Sequence, residues 1–180
     1  MADIKRDDKK LRELILYVAE RTADDPNAGA VKLNKILYHA EFQAYRDLGT
    51  PISGHPYVAL KLGPAPKDLR PIRKNLELSG DAKVVGVQFG PQTQERIVAL
   101  RSADTSLFSK EELDLVDAVI AELWPLHWTE LSADTHRLPG WLAMAPTHSV
   151  IPYETAFLSN DVTDGDIARG AELAGAYGWS

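Results

Sequence analysis

The sequence predicts an α+β protein, mainly α-helical, in which a helical domain carries a small antiparallel β-sheet or hairpin. Three observations lead to this fold class. Two stretches near the N-terminus repeat apolar residues at helical spacing, two later stretches alternate apolar with polar residues as strands do, and a serine–glutamate capping signal opens another helical pattern. The chain has 180 residues, of which 44% are hydrophobic, which is ordinary for one globular domain. We therefore expect a single domain over residues 1–180.

The N-terminal region is predicted to form a hairpin of two helices. Asp7 or Asp8 can cap the first helix, which is predicted to end at the polar stretch 22–29. The second helix is predicted over residues 30–48, because Gly49 accepts the left-handed conformation that commonly ends a helix. The apolar stripes of the two helices should pack against each other.

The middle of the chain is predicted to supply the β-structure. Residues 57–62 are typical of a short extended segment, and the pair Gly63 and Pro64 is expected to turn the chain sharply away from the sheet edge. The alternating segments 83–89 and 95–101 predict a hairpin. Since an isolated hairpin is only marginally stable, this one must lie against helices or pair with 57–62.

The remaining predicted elements are mostly helical. Ser109 and Glu112 form a capping box, which is a strong signal for a helix that begins there. The other expected elements are a short helix from Pro71 to about residue 79, helical pieces at 129–136 and 139–144, an extended segment at 150–154 and a last helix capped by Thr163.

Composition and charge narrow the class of protein. The chain has no cysteine, which removes disulfides, thiolate metal sites and cysteine nucleophiles. Residues 1–103 carry 17 Lys/Arg against 13 Asp/Glu, whereas residues 104–180 carry 3 against 13. Because duplex-binding domains normally present a dominant basic face, a net charge of −6 disfavours nucleic acid as a partner. Without a signal-like start or a run of about 18 apolar residues, we expect a cytoplasmic protein with no membrane partner.

The sequence offers no pattern for a metal ion or a cofactor. Its five histidines show neither an H-x₃-H pair nor an H-E-x-x-H motif. The segment 160–171 resembles a calcium loop only superficially, because Val162 and Ala171 stand at positions that need oxygen ligands. Phosphate-binding glycine motifs are also missing. We expect no metal and no cofactor.

Catalytic residues are weakly supported. Ser132 and His136 would share one face of a helix, but Asp134 points elsewhere and no G-x-S-x-G motif accompanies them. We therefore expect a protein that is not an enzyme and has no catalytic residues. A hydrolase-type enzyme with a site around Tyr38, Thr135 and His136 is the least favoured alternative.

Four tryptophans lie in the acidic C-terminal half. Trp124 continues the apolar stripe of its helix and Trp141 is followed by further apolar residues, so both are expected in the core. Trp128 and Trp179 stay open as candidate surface anchors, because tryptophan is enriched at protein interfaces.

Three segments carry a family resemblance. They are VKLNKILYHAEFQAYRDLGTPI (31–52), YVALKLGPAP (57–66) and FSKEELDLVDAVIAEL…LSADTHRLPGW (108–141). The positions that match the family's motifs are Lys32, Leu33, Lys35, Leu37, Tyr38, Gly63, Pro64, Leu131, Ser132, Thr135, His136 and Trp141. In this order and spacing they resemble the Panacea domain family, the SocA-like antitoxin and phage-associated proteins, over about residues 10–145.

The resemblance implies an antitoxin of a toxin–antitoxin system. Family members look like small proteins that neutralise a co-encoded toxin by direct binding, and some are similar to adaptors that hand the toxin to an ATP-dependent protease. The expected partner is therefore a cognate toxin, with an ATP-dependent protease as the second candidate. A nucleic-acid-binding regulator that uses the basic segment 61–74 is the main alternative.

The basic segment is the candidate contact surface for the toxin. The turn at Gly63 and Pro64 is expected to place a set of basic side chains on one exposed rim, where they could meet an acidic surface. The expected partner-binding residues are Lys61, Lys67, Arg70, Arg73, Lys74 and Trp128. The alternative that these charges are only solvated stays open, since surface Lys and Arg are usual.

Overall fold

The computed structural model describes residues 4–89 and 92–158. Its helices are α1 (Asp8–Arg21), α2 (Ala30–Leu48), α3 (Leu69–Leu78), α4 (Lys110–Leu123), α5 (Trp128–Thr135) and α6 (Pro139–Met144). Its strands are β1 (Tyr57–Leu60), β2 (Gly63–Pro66), β3 (Ala82–Phe89), β4 (Gln92–Ala99) and β5 (Val150–Ile151). Short 3₁₀ turns lie at Thr105–Leu107, Ala145–Thr147 and Tyr153–Phe157.

The fold class is α+β and mainly α, as the sequence predicts. The strands form two small antiparallel sheets, one in the order β2, β1, β5 and the other made of β3 and β4. Among the described residues, no helix combines the length and the apolar character that crossing a membrane requires.

Helix α2 is the central element of the fold. It packs against α1, α4, α5, β2 and β4, and its buried face carries the core aromatic residues Tyr38 and Phe42. Around the ring of Phe42, ring centroids lie 4.2 Å away for Tyr38, 4.6 Å for Tyr153 and 5.8 Å for Tyr57. Such aromatic pairs contribute about 0.5 to 1.5 kcal/mol each beyond the burial of their area. The aromatic cluster therefore joins α2 to β1 and to the last 3₁₀ turn.

Local signals set the ends of the main helices where the sequence predicts them. The Asp7 carboxylate accepts a hydrogen bond from the Lys10 backbone N–H and begins α1. Gly49 ends α2 with a φ of 82°, a left-handed conformation that glycine adopts without strain. Ser109 and Glu112 form the reciprocal capping box at the start of α4.

Gly63 and Pro64 do not turn the chain away from the sheet, so that expectation is wrong. They begin β2, which pairs with β1 so that Leu60 lies opposite Gly63. The chain reverses one step earlier, at residues 61–62. Prolines fit in β2 because it is an edge strand, where a missing backbone N–H removes no hydrogen bond from the sheet.

The second hairpin has a shorter connection than the sequence predicts. Strand β4 begins at Gln92 and not at residue 95, so Gln92 pairs with Phe89. The hairpin belongs to a separate sheet from β1 and lies against α1, α2 and α3, which is one of the two arrangements expected. Helix α3 begins at Leu69, ahead of Pro71, because proline is tolerated in the first helical turn, where the N–H has no partner.

Trp124 is 37% exposed, so its expected core position is wrong. It follows Leu123, the last buried residue of α4, and one residue turns a side chain about 100° around a helix. Trp141 is half-buried and packs against the core. The expectations that lie outside the described residues are the helix from Thr163, the role of Trp179 and the calcium-like segment 160–171.

Glu41 is a fully buried acid on α2. Its carboxylate accepts hydrogen bonds from the backbone N–H of Ser53, 3.0 Å from each oxygen, and from the Ser53 hydroxyl. The N–H of Gly54 lies 3.4 Å away, and the Tyr153 hydroxyl is at the same distance. Burial outweighs these donors and raises the pKa of Glu41 from 4.5 to about 7.

We predict that Glu41 contributes a fall in the free energy of unfolding as the pH rises from about 4.5 to 7, against the opposite contribution of His39, whose pKa burial lowers to about 4. With the native pKa of Glu41 above the unfolded one, the native state holds a proton that the unfolded chain has released, so the stabilisation is present at low pH and lost through this window. Across this window the contribution of Glu41 to the free energy of unfolding falls by about 3 kcal/mol. Urea unfolding at several pH values should show that Glu41→Gln gains stability relative to the wild type as the pH rises across this window. The exposed-site control Glu122→Gln should keep the wild-type slope, and an unchanged slope in Glu41→Gln would contradict the assignment.

Candidate functional site

Four motif side chains, those of Lys35, Ser132, His136 and Trp141, converge on one turn at the end of the β1–β2 hairpin. We name residues 59–62 the clamped turn, because each of its four carbonyls accepts a hydrogen bond from a side chain elsewhere in the fold. The donors are His148 Nδ1 to Ala59 (2.8 Å), Trp141 Nε1 to Leu60 (3.0 Å), His136 Nε2 to Lys61 (3.1 Å) and Lys35 Nζ to Leu62 (2.7 Å). The imidazole nitrogens donate, since a carbonyl oxygen only accepts. The turn is thus held from α2, from the end of α5, from α6 and from the segment before β5.

Lys35 joins three of these parts. Its ammonium group is buried and donates both to the Leu62 carbonyl and to the Thr135 hydroxyl of α5. The Thr135 hydroxyl in turn donates to the Leu131 carbonyl, 3.0 Å away within the same helix. Burial lowers the pKa of Lys35 from 10.5 to about 7. Ser132 adds a longer bond of 3.4 Å from its hydroxyl to the Leu62 carbonyl.

Gly63 gives the Lys35 ammonium the space it occupies. Gly63 has a φ of +107°, and a Cβ added there would lie 1.5 Å from Lys35 Nζ and 2.7 Å from Thr135 Oγ1. Both the backbone conformation and the close approach require glycine. The motif glycine therefore serves a contact between distant segments.

Lys32 is a second buried lysine, one turn earlier on α2. Its ammonium group forms an ion pair with Asp25 at 2.7 Å and donates to the carbonyls of Trp124 (2.7 Å) and Leu126 (3.2 Å). A cation at the last carbonyls of a helix is favourable, because the helix dipole is negative there. Lys32 thereby fixes the end of α4 against the start of α2.

The other motif positions also lie inside the fold. Leu33 and Tyr38 are buried on α2, and Pro64 is buried in β2. The indole of Trp141 stacks on the His136 ring, with the ring centroids 4.1 Å apart. Lys35, Ser132, His136 and Trp141 thus support the clamped turn, and the other motif side chains are buried.

The clamped turn presents apolar side chains and one charge to solvent. Leu60 is 44% exposed, Leu62 is 50% exposed, and Lys61 between them is exposed. Beside the turn lies a cleft of about 280 Å³, lined by Leu62, by Val31 at the start of α2, by Trp128 and by residues 93–95 of β4. The turn and the cleft form one continuous surface, because Leu62 belongs to both.

The structure separates the expected basic rim into two groups. Lys67, Arg70 and Lys74 are exposed, as expected. The side chain of Arg73 is only 15% exposed and forms a 2.9 Å ion pair with Glu95 of β4, so the expectation of an exposed Arg73 is wrong. The cause is the position of the β3–β4 hairpin beside α3, which brings a carboxylate to Arg73.

The residues considered for catalysis do not meet as a triad. The Ser132 hydroxyl and His136 Nε2 both bond to backbone carbonyls of the clamped turn, and Asp134 is exposed. Thr135 and Tyr38 are buried. Within residues 4–89 and 92–158, no group of three His, Asp or Glu side chains could hold a metal ion.

The fold and the clamped turn define a small α+β module in which the characteristic residues hold one turn in a fixed position. The family model described as antitoxin SocA-like, Panacea domain, matches residues 33–142, which include every donor to the clamped turn except His148. The chain belongs to this SocA-like antitoxin family, and the resemblance drawn from the sequence is confirmed. No curated protein and no solved structure matches the chain.

Sequence reasoning identified the motif positions but missed what they do together. The clamped turn and the contribution of His148 were not predicted, because each donor is far from its carbonyl along the chain. One signal was present: Lys32 and Lys35 both fall within the apolar stripe of α2, where a buried ammonium needs acceptors from another element.

We predict that Gly63→Ala destabilises the fold strongly, because the new Cβ would displace Lys35 Nζ as well as strain the backbone. Gly80→Ala is the matched control, since Gly80 has a φ of +75° and nothing lies within 4 Å of an added Cβ. The control should lose only the left-handed strain of about 1 kcal/mol, and Gly63→Ala at least twice as much in urea unfolding. Equal losses would mean that the contact with Lys35 does not constrain this position.

Proposed function

We propose that the protein neutralises a cognate toxin by binding directly to it. The observation that carries this proposal is the match of the SocA-like antitoxin family over residues 33–142, which supports a role in a toxin–antitoxin system. The site geometry supports binding over turnover, because the motif side chains are buried or engaged with backbone carbonyls.

The proposed contact surface is the basic rim together with Lys61 and Trp128. The rim is formed by the exposed side chains of Lys67, Arg70 and Lys74, for which the described part of the chain supplies no ion-pair partner. Unpaired surface cations favour an acidic partner by complementary charge and accelerate its association. Arg73 contributes indirectly, since it holds Glu95 at the edge of the neighbouring cleft.

We further propose that the protein acts as an adaptor. After binding, the toxin would be handed to an ATP-dependent protease, so that neutralisation continues by degradation. The measurable consequence is a short toxin half-life that needs both this protein and the protease. A toxin that is neutralised but stable would leave direct sequestration as the mechanism.

The first test is co-expression with the product of the adjacent open reading frame, which should be toxic alone and harmless with this protein. Arg70→Glu with Lys74→Glu is expected to weaken binding by about tenfold or more, because it reverses two charges at the contact. Lys5→Glu with Lys9→Glu is the matched control, with the same charge change on exposed residues outside the rim that also have no ion-pair partner among the described residues. Unchanged affinity in the rim variant with a folded domain would remove the rim from the contact.

A nucleic-acid-binding regulator is the second candidate, because the same exposed cations Lys61, Lys67, Arg70 and Lys74 could contact phosphates. It predicts binding to duplex DNA or RNA whose logarithmic affinity falls with the logarithm of salt, with a slope of about −0.9 for each phosphate neutralised on B-DNA. Toxin binding without any nucleic-acid binding at low salt would exclude this candidate.

A further inference from the structure

The clamped turn is held more firmly than a hairpin connection requires. Residues 60–62 lie at an exposed end of a short hairpin, where water could satisfy their carbonyls, and only Ala59 is buried. Instead, donors from four separate parts of the fold bond to Ala59, Leu60, Lys61 and Leu62 in succession. These bonds fix the backbone from the inner side, so the side chains of residues 60–62 are directed outward in a defined arrangement.

The side chains that this arrangement exposes are those of a binding contact. Leu60 and Leu62 are 44% and 50% exposed, close together and on a rigid support. A contact group that is ordered before binding loses little conformational entropy when the partner arrives, which is the general advantage of preorganisation. Leu62 also lines the cleft with Val31 and Trp128, and a half-buried tryptophan beside an apolar cleft is typical of an interface anchor.

Charge at the turn indicates the chemistry of the partner, since the carboxylate in the cleft lining, Glu95, is already paired with Arg73. Lys61 stands between the two leucines, and among the described residues no carboxylate pairs with it. Further along, Lys67 is also exposed without an ion-pair partner in the described part of the chain. A partner that fits this surface therefore presents apolar side chains with a carboxylate next to them.

We infer that the clamped turn and the adjoining cleft are the docking site for an apolar segment of the toxin that carries an acidic residue: Leu60 and Leu62 contact its apolar side chains, one of which enters the cleft beside Trp128, and Lys61 pairs with its carboxylate. The inference rests on the proposed function and adds the contact residues and the chemistry of the bound segment. In this arrangement Trp141, His136 and Lys35 are positioning residues, because they act on the toxin only through the turn.

The test measures the affinity of the full chain for the product of the adjacent open reading frame by calorimetry. Leu60→Ala with Leu62→Ala should weaken binding by about tenfold or more. Leu48→Ala, at a position that is 42% exposed at the end of α2, is the matched control and should bind as the wild type does. Lys61→Met should weaken binding and reduce its dependence on salt. If these variants keep both the affinity and the salt dependence of the wild type, the inference is overturned while the proposed function stands.

The positioning role has its own readout. Trp141→Phe keeps an aromatic ring over His136 but removes the indole N–H that bonds to Leu60. If the Trp141–Leu60 bond acts by positioning the two leucines, Trp141→Phe should have little effect on affinity once Leu60→Ala and Leu62→Ala are present. The double-mutant cycle would then be non-additive. Fully additive effects would show that Trp141 acts through stability alone and would overturn its positioning role. Failure of the wild-type protein to bind the adjacent gene product would overturn both the proposed function and this inference.

Discussion

One buried ammonium group determines how three parts of this protein meet. Lys35 extends from α2, and its Nζ reaches the Leu62 carbonyl of the clamped turn and the Thr135 hydroxyl of α5. A buried charge without acceptors costs several kcal/mol, so the turn and α5 must lie where their oxygens satisfy it. The same constraint dictates Gly63, because the ammonium group occupies the volume that any other side chain would fill.

The two buried lysines of α2 hold different elements: Lys32 holds the end of α4, and Lys35 holds the clamped turn and α5. Lys32 has Asp25 as a counter-ion and holds the end of α4 by its carbonyls. The acceptors of Lys35 are a carbonyl and a hydroxyl, so burial is not offset by a carboxylate and lowers its pKa to about 7. Since residues three apart lie on the same face of a helix, both ammonium groups project from one side of α2 toward different elements. The packing around α2 is therefore specified by polar groups as well as by apolar area.

The sequence predicted what is local and missed what joins distant segments. Helices α1, α2 and α4 follow from apolar spacing and from caps within a few residues, such as Ser109 with Glu112. The clamped turn could not be predicted in this way, because its bonds span 27 residues for Lys35 and 75 to 89 residues for the ring donors. The sequence around Gly63 indicates a turn for the same reason, since the group that requires glycine there, the Lys35 ammonium, is on α2.

The motif side chains that support the clamped turn and the contact residues proposed above lie on different sides of its backbone. Lys35, Ser132, His136 and Trp141 bond to the inner, carbonyl side of the clamped turn, so a chain that keeps them keeps the turn in place. The outward side chains of the same turn are not constrained by these bonds, because every residue type has a backbone carbonyl that can accept them. Residues 60–62 can therefore vary in side chain without loss of the support beneath them. The turn thus offers the same rigid position for different side chains, and under the docking proposed above this is a physical route by which one fold can serve different toxins.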